Sequence, residues 1–162
     1  RDSLMAYMST FSLLGGLAVY ISPQSVLTSY LGVSIQTMIH HGSQILLGVY
    51  FFVYNRKKAT FRYFLSSIWV FLVFVVTAII LNEIGYLVIS INHLENQRFN
   101  MFYISPYYEC NVAVLGDIWR ATNFHIALLC YMTGVCLGSC TIFGFSHLIL
   151  RYKNLSIEHK EA

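Results

Sequence analysis

Hydrophobic residues in this chain gather into four runs long enough, or nearly long enough, to cross a bilayer, and polar residues mark the breaks between them. A hydrocarbon core ~30 Å thick takes about 20 apolar residues in helical form. Residues 61–81 meet that requirement most plainly, with no charge after Arg62. Residues 4–21 are shorter, rich in small side chains (Ser9, Thr10, Ser12, Gly15, Gly16), and stop at Ser22 and Pro23. Residues 33–54 carry Gln36, His40, His41 and Gln44 in their first half, and residues 123–150 form a last run uncharged apart from protonation of His125 and His147. The pattern predicts an all-α fold: a polytopic membrane helix bundle of about four transmembrane helices in a single domain, with a long outer connection before the last helix. Within that connection, residues 84–91 are apolar enough to continue the third helix or to lie in the interface. Residues 24–31 fit a short amphipathic helix.

Composition sharpens the class. The 162 residues are 57% hydrophobic and only 10% charged, whereas a soluble domain is roughly half apolar and a quarter charged. The excess apolar surface has to face lipid. A net charge of +3, finely divided along the chain, gives no reason to expect nucleic acid as a partner.

The placement of the basic residues sets an orientation. Arg56, Lys57, Lys58 and Arg62 sit between the second and third runs, and Arg151, Lys153 and Lys160 follow the fourth. The positive-inside rule then puts residues 55–60 and the C-terminus on the cytoplasmic side of the cell membrane, which four crossings make self-consistent. The long connection carries Glu83, Glu95, Glu109 and Asp117 against Arg98 and Arg120, and faces outward. The first run lacks the basic start and small-residue cleavage site of a secretory signal. Because residue 1 is Arg, the chain reads as the C-terminal portion of a longer protein.

The four cysteines do not form a disulfide framework: Cys130, Cys136 and Cys140 fall in the last helix and Cys110 stands alone in the connection. Thr133, Cys136 and Cys140 share a stripe, and Gly134 with Gly138 makes a small-xxx-small pair suited to helix packing or helix-mediated self-association.

Depth is more informative. Counted from the outer end at 1.5 Å per residue, His40 and His41 lie about 10 Å inside the membrane. Asn82, Glu83, Asn123 and His125 come to the same outer layer if the helices pack together. Gln36, His40 and Gln44 recur every four residues on one helix face, with Thr37 and His41 one step round. Ionisable residues within a span usually face a bundle interior or a water-filled cavity. The plainer reading is that one histidine packs, hydrogen-bonded, and the other reaches the interface. A neutral imidazole can take a proton from a thiol or hydroxyl, as acyl transfer requires. Neighbouring histidines point about 100° apart on a helix and do not easily share one metal. A haem between His40 or His41 and His125 is conceivable, but nothing in the spacing selects it. No metal and no cofactor are expected.

Two segments carry a family resemblance. Residues 34–42, from Ser34 through Gln36 to His40, His41 and Gly42, open an apolar helix that ends in a basic turn. Residues 100–107, from Asn100 through Tyr103 and Ser105 to Pro106 and Tyr107, are followed by Leu115, Asp117 and Ile118. In that order they resemble the YwaF family of bacterial integral membrane proteins, itself similar to the transmembrane protein 164 group of acyltransferases. The resemblance implies membrane-embedded acyl transfer with membrane lipids, acyl chains or phospholipids, as substrates. It gives His40 or His41 the role of proton acceptor, with Gln44 as an orienter on the His40 face. Asn100, Tyr103, Pro106 and Asp117, with His125 nearby, would shape an outer lid or head-group site, or simply fold the loop. The family's proposed cysteine lies in an earlier Pro-Leu-His-x-Cys-like stretch that this sequence lacks, and Cys110 is not assigned in its place. Two other classes stay open: a proton-coupled small-molecule carrier using the histidines and Glu83, and a non-catalytic membrane assembly subunit.

Overall fold

The computed structural model describes residues 1–54, 60–94, 98–110, 112 and 114–161, with side chains except those of Ser25, Ser146 and residues 150–161. Arg56, Lys57, Lys58 and Glu95 lie outside the described residues, and so does the placement of residues 55–59 on a cytoplasmic face. Every regular element among the described residues is helical. In chain order they are α1 (Asp2–Ile21), α2 (Leu31–Tyr54), α3 (Phe61–Ile91), α4 (Leu115–Ala121) and α5 (Phe124–Glu161). Three of them contain a stretch long and apolar enough to cross a membrane: α1, α3 and residues 124–149 of α5. Helix α2 has the length, at 24 residues, but its two histidines and two glutamines lower its hydropathy below that of the others.

Several boundaries differ from the expectation. The third helix does not stop at residue 81 but runs to Ile91, taking up the apolar stretch 84–91. The last continues to Glu161, past residue 150. Residues 24–31 form no helix of their own: a 3₁₀ turn covers Pro23–Ser25, Pro23 supplying the fixed φ of a helical first position, and α2 begins at Leu31.

The chain divides into two compact units, residues 1–70 with 135–162 and residues 71–134. In the first, α1 and α2 are antiparallel neighbours that approach backbone to backbone. A Cβ on Gly16 would stand 2.8 Å from Ile45 Cγ1 and 2.9 Å from the His41 carbonyl oxygen, and one on Gly48 would stand 2.8 Å from Leu13 Cβ. Only glycine permits that approach, which is how helices gain packing contacts where lipid offers no hydrophobic drive.

Helix α1 is π-helical at Met8–Ser12. Two hydroxyls, Ser9 Oγ and Thr10 Oγ1, donate to the Ala6 carbonyl at 3.0 and 2.7 Å, and both are buried. A π-turn disturbs the i→i−4 ladder, and in a membrane every backbone carbonyl needs a donor; both hydroxyls serve the one carbonyl of Ala6. Phe11 stacks on Phe64, and Phe64 on Phe143 at 5.2 Å, tying α1, the start of α3 and the second half of α5 together. One turn further along α3 and one turn back along α5 lie Ser67 and Ser139, both fully buried. Ser67 donates to the Phe64 carbonyl at 2.5 Å, whereas Ser139 Oγ has no hydrogen-bond partner among the described residues.

In the second unit, the outer part of α3, the loop after it, α4 and the start of α5 enclose a small core of Ile104, Ser105, Cys110 and Ala127.

Candidate functional site

The polar segment of α2 is built by helical spacing alone. Residues 31–54 are helical throughout, so His41 and Gln44, three apart, face the same way. His41 Nδ1 lies 2.7 Å from Gln44 Oε1. Because a carbonyl oxygen only accepts, this contact suits the tautomer with the proton on Nδ1, in which the neutral ring keeps a lone pair on Nε2. Gln44 therefore orients His41 and not His40, contrary to the four-residue spacing that places it on the His40 face. Gln44 bends one step round the helix, where Gly16 of α1 leaves room beside its Cβ. The ring of His40, an exposed residue, meets that of His41 edge-on, with centroids 5.1 Å apart and planes at 74°. Gln36 is exposed as well. On the other side of His41, Tyr20 of α1 lies over Gly42 and donates to the Met38 carbonyl at 3.0 Å.

The second unit holds the rest of the predicted residues. Asn82, fully buried, uses its whole carboxamide on one residue: its Oδ1 accepts from the Met101 N–H at 2.7 Å and its Nδ2 donates to the Met101 carbonyl at 3.1 Å. Asn100 Oδ1 accepts from the Ser105 N–H at 2.8 Å, and Ser105 Oγ accepts from the Tyr107 N–H at 3.3 Å. The turn between them is tight: Phe102 and Tyr103 both adopt positive φ, 59° and 60°, a left-handed conformation bulky residues rarely take. Asn100 thus serves the loop's own fold, and Pro106 sits half-buried within it.

Glu83 is also engaged. Tyr107 donates to its Oε2 at 2.7 Å, and the Tyr107 ring lies flat on Tyr86, centroids 3.7 Å apart and planes at 6°. The Glu83 carboxylate pushes the Tyr107 phenol up from its ordinary range, by hydrogen bond first, with desolvation and charge adding to it. Asp117 and Glu109 both bind Arg120, which raises the guanidinium's pKa further. Asn123 Oδ1 accepts from the Ile126 N–H at 3.0 Å and so caps α5. His125 is exposed, edge-on to Phe124. Asn82, Glu83, Asn123 and Asp117 therefore all have local work in folding this unit.

Cys110 is buried, and burial pushes its thiol up, away from the thiolate a nucleophile needs. Beside it a cavity of about 10 Å³ is lined by Tyr103, Ile104, Leu115, Trp119, Phe124 and their neighbours. Trp119 Nε1 is buried there without an acceptor among the described residues. That volume is about the room of one water and far below an acyl chain. Among the described residues no three His, Cys, Asp or Glu side chains converge as metal ligands would.

Sequence reasoning did not single out Tyr20, Tyr86 or Met101, whose roles arise from pairing between elements. Compared with family models, curated proteins and solved structures, the chain matches none.

Proposed function

We propose that this chain is a membrane-embedded acyltransferase acting on lipids, with α2 as a fourth crossing and the basic residues 56–62 on the cytoplasmic side. The observation that carries the reading is the His41–Gln44 pair. A base held by a second group in one tautomer is the arrangement that activates a hydroxyl or thiol. His41 Nε2 takes the proton of the attacking group as its oxygen or sulfur bonds to the acyl carbonyl carbon. The same proton then passes to the oxygen of the departing lipid. The resemblance of residues 34–42 and 100–107 to a membrane-protein family that is itself similar to a group of acyltransferases supports the choice of acyl chains over other groups. The buried, raised thiol of Cys110 speaks against that residue as the attacking group.

The test is to place the purified chain in vesicles of two phospholipids with distinguishable acyl chains and follow mixed species by mass spectrometry. The expected result is exchange that falls at least about 100-fold in His41→Gln, the usual scale of a general base, and partly in Gln44→Leu. Exchange undiminished in His41→Gln would overturn the role of the histidine, and no exchange by the unaltered chain would remove acyl transfer as its activity.

A further inference from the structure

Arg62 and Glu83 bracket residues 63–82, twenty consecutive uncharged positions of α3, and about 20 residues is the helical length of the hydrocarbon core. The helix runs on to Ile91, and its 31 residues span about 46 Å, close to the ~40–45 Å of a bilayer with its headgroups. The segment beyond Glu83 is two-faced. One face is covered by the loop: Asn82 binds Met101, Gly85 lies against the Phe99 ring and Tyr86 against Tyr107. The opposite face is an apolar stripe of Ile84, Leu87, Val88 and Ile91, spaced i, i+3, i+4, i+7 and 50–73% exposed.

We infer that this stripe is a lipid-binding surface at the headgroup–acyl boundary, occupied by phospholipid of the leaflet away from Arg62. The occupant follows from continuity: the stripe prolongs the lipid-facing side of a helix whose length ends at the headgroup surface, and the loop holds the polar groups Asn82 and Glu83 on the other side. Aromatic side chains at Tyr86, Phe99 and Tyr107 belong at that level, where amphipathic rings concentrate.

The inference rests on the membrane reading of α3, and one experiment separates the two. The chain contains two tryptophans, Trp69 and Trp119. Trp69 is exposed and about 10 Å past Arg62, in the core of the proposed span. Trp119→Phe leaves Trp69 alone; adding Trp69→Phe and Leu87→Trp puts the only indole on the stripe, with Ile91→Trp as a second version should the first not insert. Each is reconstituted in phosphatidylcholine vesicles brominated either near the headgroup or near the chain end. The expected result is loss of Trp69 emission mainly with deep bromines and loss of emission at position 87 or 91 mainly with shallow ones. Quenching of Trp69 with none on the stripe, as water or a second copy covering it would give, overturns the lipid surface. Deep quenching on the stripe overturns its interfacial level, and no quenching at Trp69 overturns the membrane reading together with it.

Discussion

The fully buried carboxamide of Asn82 and the backbone of Met101, nineteen residues apart, are joined by two hydrogen bonds. Asn82→Ala removes both partners at once and leaves the Met101 N–H unpaired, at about 1–3 kcal/mol, while the Met101 carbonyl keeps the Ile104 N–H. Asn82→Asp keeps the acceptor and loses the donor, so it is expected to fall between. Hydrogen exchange checks this: the amide of Met101 is slow in the unaltered chain and becomes fast in Asn82→Ala, while the amides of α2 are unchanged.

Cys110 provides a chemical readout of the same loop. Its burial and raised thiol predict that a water-soluble maleimide modifies it slowly near neutral pH, and that Asn82→Ala speeds the reaction by opening the loop. Peptide mass mapping after timed labelling measures the rate. Equal rates in the two proteins would mean that the clamp does not control access to Cys110.

Tyr107 gives a pH dependence with a definite sign. Its phenol is raised by Glu83, so the folded form holds the proton more tightly than the unfolded chain. The stabilisation is complete below the ordinary tyrosine pKa of about 10 and is lost as pH rises through the higher folded value. Tyr107→Phe keeps the stack on Tyr86 but not the hydrogen bond. Unfolding followed between neutral and strongly alkaline pH is expected to lose part of its alkaline slope in that variant.

Ser139 is buried with a hydroxyl that has no hydrogen-bond partner among the described residues. Ser139→Ala removes a polar group that gains nothing, so its stability is expected to equal or exceed that of the original. Ser139→Leu overfills the contact and is expected to cost about 1–3 kcal/mol. Thermal unfolding in detergent, measured side by side, distinguishes the two.

Gly16→Leu and Gly48→Val place side chains where Ile45, Leu13 and backbone oxygens already stand. Each is expected to separate α1 from α2, reported by a lower midpoint of thermal unfolding in detergent than that of the unaltered chain.

The three long apolar helices were legible in the sequence because hydropathy over some twenty residues survives any detail of packing. For the end of α3 the sequence allows two readings, continuation or an interfacial segment, and the first holds; what covers one face of residues 84–91, residues 99–107, is brought there by pairing across nineteen positions. The His41–Gln44 pair was half legible. Spacing put Gln44 within reach of both histidines, and the side-chain direction that selects His41 depends on the gap at Gly16. Asn100, read as part of a lid or head-group site or of the loop's own fold, does the last. No periodicity announces Met8–Ser12, since Ser and Thr occur equally in ordinary helices.

That π-turn carries a consequence for the first helix as a whole. One residue more than an α-helix would use is accommodated between Ala6 and Leu13, so the two halves of the helix are out of phase by about one residue, near 100°. Met5 and Ala6 before it and Gly16 and Val19 after it are all buried, so each half keeps an inward face of its own across that shift. A one-residue deletion among positions 8–12 would restore regular winding and turn one half's inward face toward lipid. The extra residue is thus a phase shifter, and the chain's first segment is better understood as two short helices sharing one axis than as one weakly amphipathic helix.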